Sequence, residues 1–178
     1  MKYLFLIVLF LNISPTEEVI IWSEDSALTW NDFQGNPNPQ ADEAALTASG
    51  ITFSFSVQES SQRGYVSFET EVFAHFYPKK SWYIKERVTD HILRHEQLHF
   101  DLTELYARQF RYQISKLQIS PNIKKQLRAI HESVNLELSK RQAAYDGETD
   151  HSRNLENQIK WELMIENELL EFKAYSSK

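Results

Sequence analysis

Two histidines four residues apart, with a glutamate directly after the first, form the part of this sequence best suited to metal chemistry. The run reads His95-Glu96-Gln97-Leu98-His99. Residues four apart on an α-helix lie on one face, so His95 and His99 can present two imidazole nitrogens to one ion. Neutral imidazole is a preferred zinc ligand, and the run therefore predicts a zinc site.

Glu96 occupies the position expected of a general base. It is rotated about 100° around the helix from His95, which keeps its carboxylate out of the ligand set but within reach of a water beside the ion. Bound zinc lowers the pKa of water to about 7, and a nearby carboxylate can pass the proton to a leaving amine. We therefore predict that Glu96 is the catalytic base of a hydrolase.

A catalytic zinc needs a third protein ligand and keeps a fourth position open. The chain has no cysteine, so this ligand must be a histidine or a carboxylate. The competing residues are His75, His91, His131, Asp101 and the segment Asp146-Gly147-Glu148-Thr149-Asp150-His151. That segment is favoured because Gly147 allows a loop to bend over the helix. We predict His151 as the third ligand and Glu148 as the second choice.

Other polar residues near the motif carry alternative interpretations. His91 lies one turn before the motif and is a partner of the site or a surface residue, whereas Asp101 faces away from the predicted zinc. Tyr145 packs in the core, which is the favoured interpretation, or donates a hydrogen bond to an oxyanion. Three acidic side chains either orient the ligand imidazoles or are solvated at the surface, namely Asp146, Glu148 and Asp150.

The elements that must position the motif are a hairpin and three helices. Apolar and polar residues alternate over 51–57 and 66–72 around a polar turn, which predicts an antiparallel hairpin. Helical spacing without Pro or Gly predicts a first helix over 84–116. A second is predicted from Ser120-Pro121 to about Ala144, where Tyr145-Asp146-Gly147 ends it, and a third over 155–173. The predicted class is α+β, a small antiparallel sheet followed by three helices, the first carrying the motif.

The composition is typical of one exported domain. With 178 residues and 42% hydrophobic content, the chain can form a single core. Met1-Lys2 and the uncharged run 3–11 predict that residues 1–16 are a signal peptide or an N-terminal membrane anchor, and 17–178 one domain. We predict an exported protein, periplasmic or secreted. A net charge of −6 without a basic stripe excludes a nucleic-acid partner.

Several segments resemble a bacterial family of predicted secreted zinc-dependent proteases, a domain of unknown function. They are 28–35, Ser81-Trp82, 95–101, 145–151, Gln158 and Trp161. The family's signature runs are His-Glu-Gln-x-His-Phe-Asp and Tyr-Asp-x-x-Thr-x-His, so the resemblance implies His95, His99 and His151 as ligands and Glu96 as base. Ser152 stands where the family usually has glycine.

The sequence therefore predicts a zinc metalloprotease with one Zn²⁺ per chain and a peptide or protein substrate. Two alternatives stay open. One is a zinc amidase acting on cell-wall peptides, which would share the site but not the substrate. The other is a non-catalytic zinc-binding envelope protein, which a site without an open position would favour.

Overall fold

The structure is a computed structural model that describes residues 18–38, 40–62 and 64–177. Its strands are β1 Ile20–Ile21, β2 Ala45–Leu46, β3 Ser49–Ser60, β4 Gly64–Phe76 and β5 Trp82–Tyr83. Its helices are α1 Asp90–Ser115, α2 Ile123–Thr149 and α3 Leu155–Glu171. The predicted α+β class, a small antiparallel sheet followed by three helices, is confirmed.

The long β3–β4 hairpin forms the predicted sheet. The two strands pair antiparallel with Phe53 opposite Val72, and β1 pairs with the other edge of β4. The sheet packs on α1 through aromatic contacts, with ring centroids 4.8 Å apart for Phe53 and Phe110 and 5.8 Å apart for Phe76 and Phe100. The hairpin therefore supports α1, the helix that carries the motif.

A second, two-stranded sheet was not predicted from the sequence. Antiparallel β2 and β5 pair Ala45 with Tyr83 and Leu46 with Trp82. Two-residue strands are too short to show an alternating pattern, so their pairing depends on contacts made elsewhere in the fold. This small sheet lies beside α1. The hydroxyl of Thr47, the residue after β2, donates to the main-chain oxygen of Glu96 at 3.1 Å.

The predicted helix starts need correction. Helix α1 begins at Asp90 rather than near residue 84, because the Thr89 hydroxyl caps it by accepting from Ile92 N. Helix α2 begins at Ile123 after Asn122, not at Ser120-Pro121. Helix α3 starts as predicted but ends at Glu171 instead of residue 173.

A buried ion-pair network fixes the far end of α1. Glu104 is fully buried and accepts from Arg108 Nε at 2.9 Å and from Arg111 Nη1 at 3.1 Å. Arg111 also donates to the main-chain oxygen of Val72 on β4. Arg108 donates to the main-chain oxygen of Leu169 on α3. The network thus ties α1 to both the sheet and the third helix.

Removal of the Glu104 carboxylate is expected to destabilise the protein strongly. Glu104→Ala leaves two arginines without their anion, and breaking a buried pair in this way costs about 3–5 kcal/mol in the free energy of unfolding. Denaturant unfolding measures the change. The control Glu137→Ala removes an exposed pair with Lys140 and should cost less than about 1 kcal/mol. Similar losses in the two variants would contradict a structural role of the buried network.

The predicted leader, residues 1–16, lies outside the described residues. Across 18–38, 40–62 and 64–177, no helix has the length and apolar content needed to cross a membrane.

Candidate metal centre

Helix α1 brings the two motif histidines together. His95 and His99 are one helical turn apart, and their Nε2 atoms lie 3.2 Å from each other. His95 and Glu96 are almost fully buried, at 3% and 4% exposure. The predicted spacing on one helix face is therefore present, and both imidazoles point the same nitrogen toward one place.

Asp146 on α2 completes the cluster. Its Oδ1 atom lies 3.3 Å from His95 Nε2 and 3.0 Å from His99 Nε2. Among the described residues, these three side chains form the group of ligand atoms that all lie within 4.8 Å of one another. From the sequence, Asp146 is one of several competitors for the third position, and its alternative roles are to orient an imidazole or to be solvated at the surface.

The predicted end of the second helix at Tyr145-Asp146-Gly147 is wrong. Helix α2 continues through these residues to Thr149. Burial of Tyr145 against the motif histidines offsets the cost of a helical glycine, about 1 kcal/mol. The turn is made instead by Asp150, His151 and Ser152, with positive φ values of 49°, 49° and 72°. Gly147 therefore supplies no loop, and Asp146 projects from a helix.

His151 lies at the edge of the cluster. Its Nδ1 atom is 3.7 Å from Asp146 Oδ1 and its side chain is 46% exposed. Its role as third ligand stays a prediction. The second choice, Glu148, accepts a hydrogen bond from Trp161 Nε1 at 2.9 Å. His91 Nε2 donates to Ser152 O at 2.6 Å and so holds the turn after α2 against α1.

The other sequence candidates lie in the structural frame. Asp101 accepts from Trp22 Nε1 and from Gln97 Nε2, and burial raises its pKa. His131 stacks near Phe110, and His75 lies on β4. These contacts account for Asp101 and His131 without a metal, and His75 lies outside the cluster.

Tyr145 packs behind the cluster. It is fully buried and its ring lies 4.5 Å from the His95 imidazole. Its hydroxyl donates to Gln158 Oε1 at 2.8 Å. Burial raises the pKa of Tyr145, so this hydroxyl stays protonated. The core interpretation therefore describes this residue, and its hydroxyl is directed to Gln158 rather than toward an oxyanion.

Two glutamines contact the imidazoles on the side away from Asp146, neither of them predicted as a ligand from the sequence. Gln158 Oε1 lies 2.9 Å from His95 Nδ1, and Gln142 Oε1 contacts His99 Nδ1. Gln142 precedes Asp146 by four residues, so the two share one face of α2. That spacing was the available signal. Gln158 lies on another helix, so no spacing relates it to the motif, and its only sequence signal is its place in the family resemblance.

The cluster lies in a cleft of about 590 Å³. Its lining includes the chain from 42 to 49, which contains β2, and His95, Glu96 and His99 of α1. Residues of α2 and of the turn that follows it complete the lining. An external molecule can therefore reach the histidines through the cleft.

The cluster is electrostatically coupled. Burial alone would lower the pKa of His99, but the Asp146 carboxylate and the Glu96 charge outweigh it, so the pKa of His99 is raised. Burial opposes the charge of Asp146, yet the two imidazoles hold the pKa of its carboxyl below the usual range. A positive charge is therefore favoured between these side chains.

The side chains present fit a zinc ion. Three ligand atoms spaced 3.0–3.3 Å apart can each lie about 2.0–2.1 Å from one metal. Two imidazoles and a carboxylate are a known type of zinc ligand set. Beside them, Glu96 Oε2 is buried and has no hydrogen-bond partner within the described part of the chain. A buried, unpartnered carboxylate oxygen is costly unless another molecule occupies the site.

A family model matches about two thirds of the chain. The model of a family described as "Bacterial protein of unknown function (DUF922)" matches residues 36–152, which include α1, Asp146 and His151. No curated protein and no solved structure gave a significant match.

Proposed function

We propose that this chain, which belongs to the bacterial family of unknown function DUF922, is a zinc-dependent hydrolase of peptide bonds that acts after export. One observation carries the proposal. The Nε2 atoms of His95 and His99 and the Asp146 carboxylate meet in an open cleft beside an unpartnered oxygen of Glu96. Ligands for a metal and a base for water are thus adjacent.

Zinc, held by His95, His99 and Asp146, would supply Lewis acidity toward a carbonyl oxygen and make water more acidic. Glu96 accepts the proton of the attacking water on Oε2 and returns it to the leaving amine. The Thr47 hydroxyl donates to the main-chain oxygen of Glu96, so the chain that follows β2 is held against the residue that carries the base. His151, at the mouth of the cleft, stays a candidate for the third ligand position.

The free edge of β2 in the cleft lining favours an extended peptide as the substrate. Ala44 O accepts from Ile84 N, beside β5. Alternation along a strand therefore turns the main-chain groups of Ala45 and Thr47 to the opposite edge of β2. In the described part of the chain, β2 has only β5 as a strand neighbour. That edge can pair with a peptide by strand addition.

A peptide cleavage screen tests the function. Full-length protein loaded with zinc should cut a proteome-derived peptide library, and mass spectrometry should find new termini. A metal chelator should abolish these cuts and added zinc should restore them. An uncut library together with cleavage of cell-wall peptide crosslinks would contradict the proposed substrate and favour an amidase. No hydrolysis of either, with zinc held by four protein ligands, would favour the non-catalytic envelope protein.

A further inference from the structure

Each motif imidazole has a glutamine on its outer side. Gln158 on α3 contacts Nδ1 of His95, and Gln142 on α2 contacts Nδ1 of His99. Gln158 is 1% exposed. In both rings, the other nitrogen, Nε2, faces Asp146. The two glutamines thus reach the motif from two different helices and contact only the nitrogens that face away from Asp146.

The amide orientation of each glutamine follows from a partner that can only accept a hydrogen bond. The amide nitrogen of Gln158 donates to Glu162 Oε1 at 3.0 Å. That of Gln142 donates to the main-chain oxygen of His99 at 2.8 Å. Rotating either amide by half a turn would place its oxygen against another acceptor oxygen. Both amide oxygens must therefore face the imidazoles.

An amide oxygen cannot donate, so the imidazole nitrogen facing it must carry the proton. Each neutral ring is then protonated at Nδ1 and has its lone pair on Nε2. We infer that Gln142 and Gln158 are positioning residues that select this tautomer in His99 and His95 and so prepare both Nε2 atoms to bind a metal. The inference rests on the proposed metal site.

The glutamine side chains carry no charge, which favours a catalytic role for the ion. The outer partner of a metal-binding histidine is commonly a carboxylate, a main-chain carbonyl or water. Here Asp146 already supplies one negative charge to the ligand set, and Glu96 lies beside it. A neutral amide orients each ring without adding a further negative charge, so the ion keeps more of its power to polarise a carbonyl.

Replacement of each glutamine by methionine tests the inference on full-length protein. Met keeps the length of the side chain but lacks the amide oxygen. Gln142→Met and Gln158→Met should each weaken zinc binding about 10- to 100-fold. In ¹H–¹⁵N spectra of the zinc-loaded wild type, both histidines should show an Nδ1–H proton protected from exchange. Gln158→Met should remove that protection at His95 only, and Gln142→Met at His99 only.

The control is Gln113→Met, an exposed position near the end of α1, which should change neither readout. Unchanged zinc affinity, or unchanged Nδ1–H protection in both site variants, would overturn the inference and leave the metal site intact. A wild-type protein that binds no zinc would overturn the proposed function instead. If burial makes Gln158→Met unfold, as thermal unfolding would show, the partly exposed Gln142 decides the test alone.

Discussion

Glu96→Gln is expected to keep zinc and fold but to lose at least about 10²-fold in the rate of peptide hydrolysis, because it removes the general base. The amide has nearly the same shape as the carboxylate but cannot accept a proton from water. Glu96 does not belong to the cluster of ligand atoms, so its charge is not needed to hold the metal. The loss should therefore appear in kcat, with little change in zinc content.

The matched control for this variant is Glu132→Gln, an exposed position on α2. It makes the same chemical change away from the cleft, so its hydrolysis rate should equal that of wild type. Elemental analysis and circular dichroism check metal content and fold. Hydrolysis by Glu96→Gln at a near-normal rate would refute the assigned role of the base even if the zinc site is correct.

His95→Ala and His99→Ala are each expected to empty the metal site and abolish hydrolysis. Either change removes one of three converging ligands, and two ligands do not hold a catalytic zinc. Elemental analysis of purified protein should fall from about one zinc per chain to almost none. His75→Ala, on β4 and outside the cluster, should retain the metal. Full zinc content in both variants would contradict the assignment of His95 and His99 as zinc ligands.

The third ligand position can be assigned by comparing two further variants. Asp146→Ala removes the oxygen that lies 3.0 Å and 3.3 Å from the two imidazoles. His151→Ala removes the more distant, half-exposed side chain predicted by the sequence. We expect the greater loss of zinc affinity from Asp146→Ala. A greater loss from His151→Ala would give the third position to His151 and leave Asp146 beside it.

The elements of this fold that could be predicted are those whose residues show a regular spacing along the sequence. The alternation around Phe53 and Val72 gave the hairpin, and helical spacing gave α1 with His95 and His99 on one face. The β2–β5 pairing was not predictable, because two-residue strands carry no periodic signal. The end of the second helix was predicted wrongly. Helix α2 continues beyond Gly147, because packing of the buried Tyr145 outweighs the low helix propensity of one glycine.

The candidate site likewise contains residues that a local pattern predicts and residues that only tertiary packing brings together. His95, Glu96 and His99 are related by spacing within one helix, so sequence alone placed them together. Asp146, Gln142 and Gln158 reach the histidines only because α2 and α3 pack against α1 in one particular arrangement. No short-range pattern encodes that arrangement. The motif and the segment 146–151 are therefore predictable from the sequence, but the choice of Asp146 within that segment as the carboxylate beside the two imidazoles is not.

Anomalous diffraction from crystals of the zinc-loaded protein, recorded at the zinc absorption edge, tests the central claim most directly. We predict one zinc per chain in the cleft, about 2.0–2.1 Å from Nε2 of His95, Nε2 of His99 and one further protein atom, with the fourth position open toward Glu96. Asp146 Oδ1 is the atom we expect in the third position. Zinc bound elsewhere, or enclosed by four protein ligands without an open position, would contradict a catalytic metal centre in this protein.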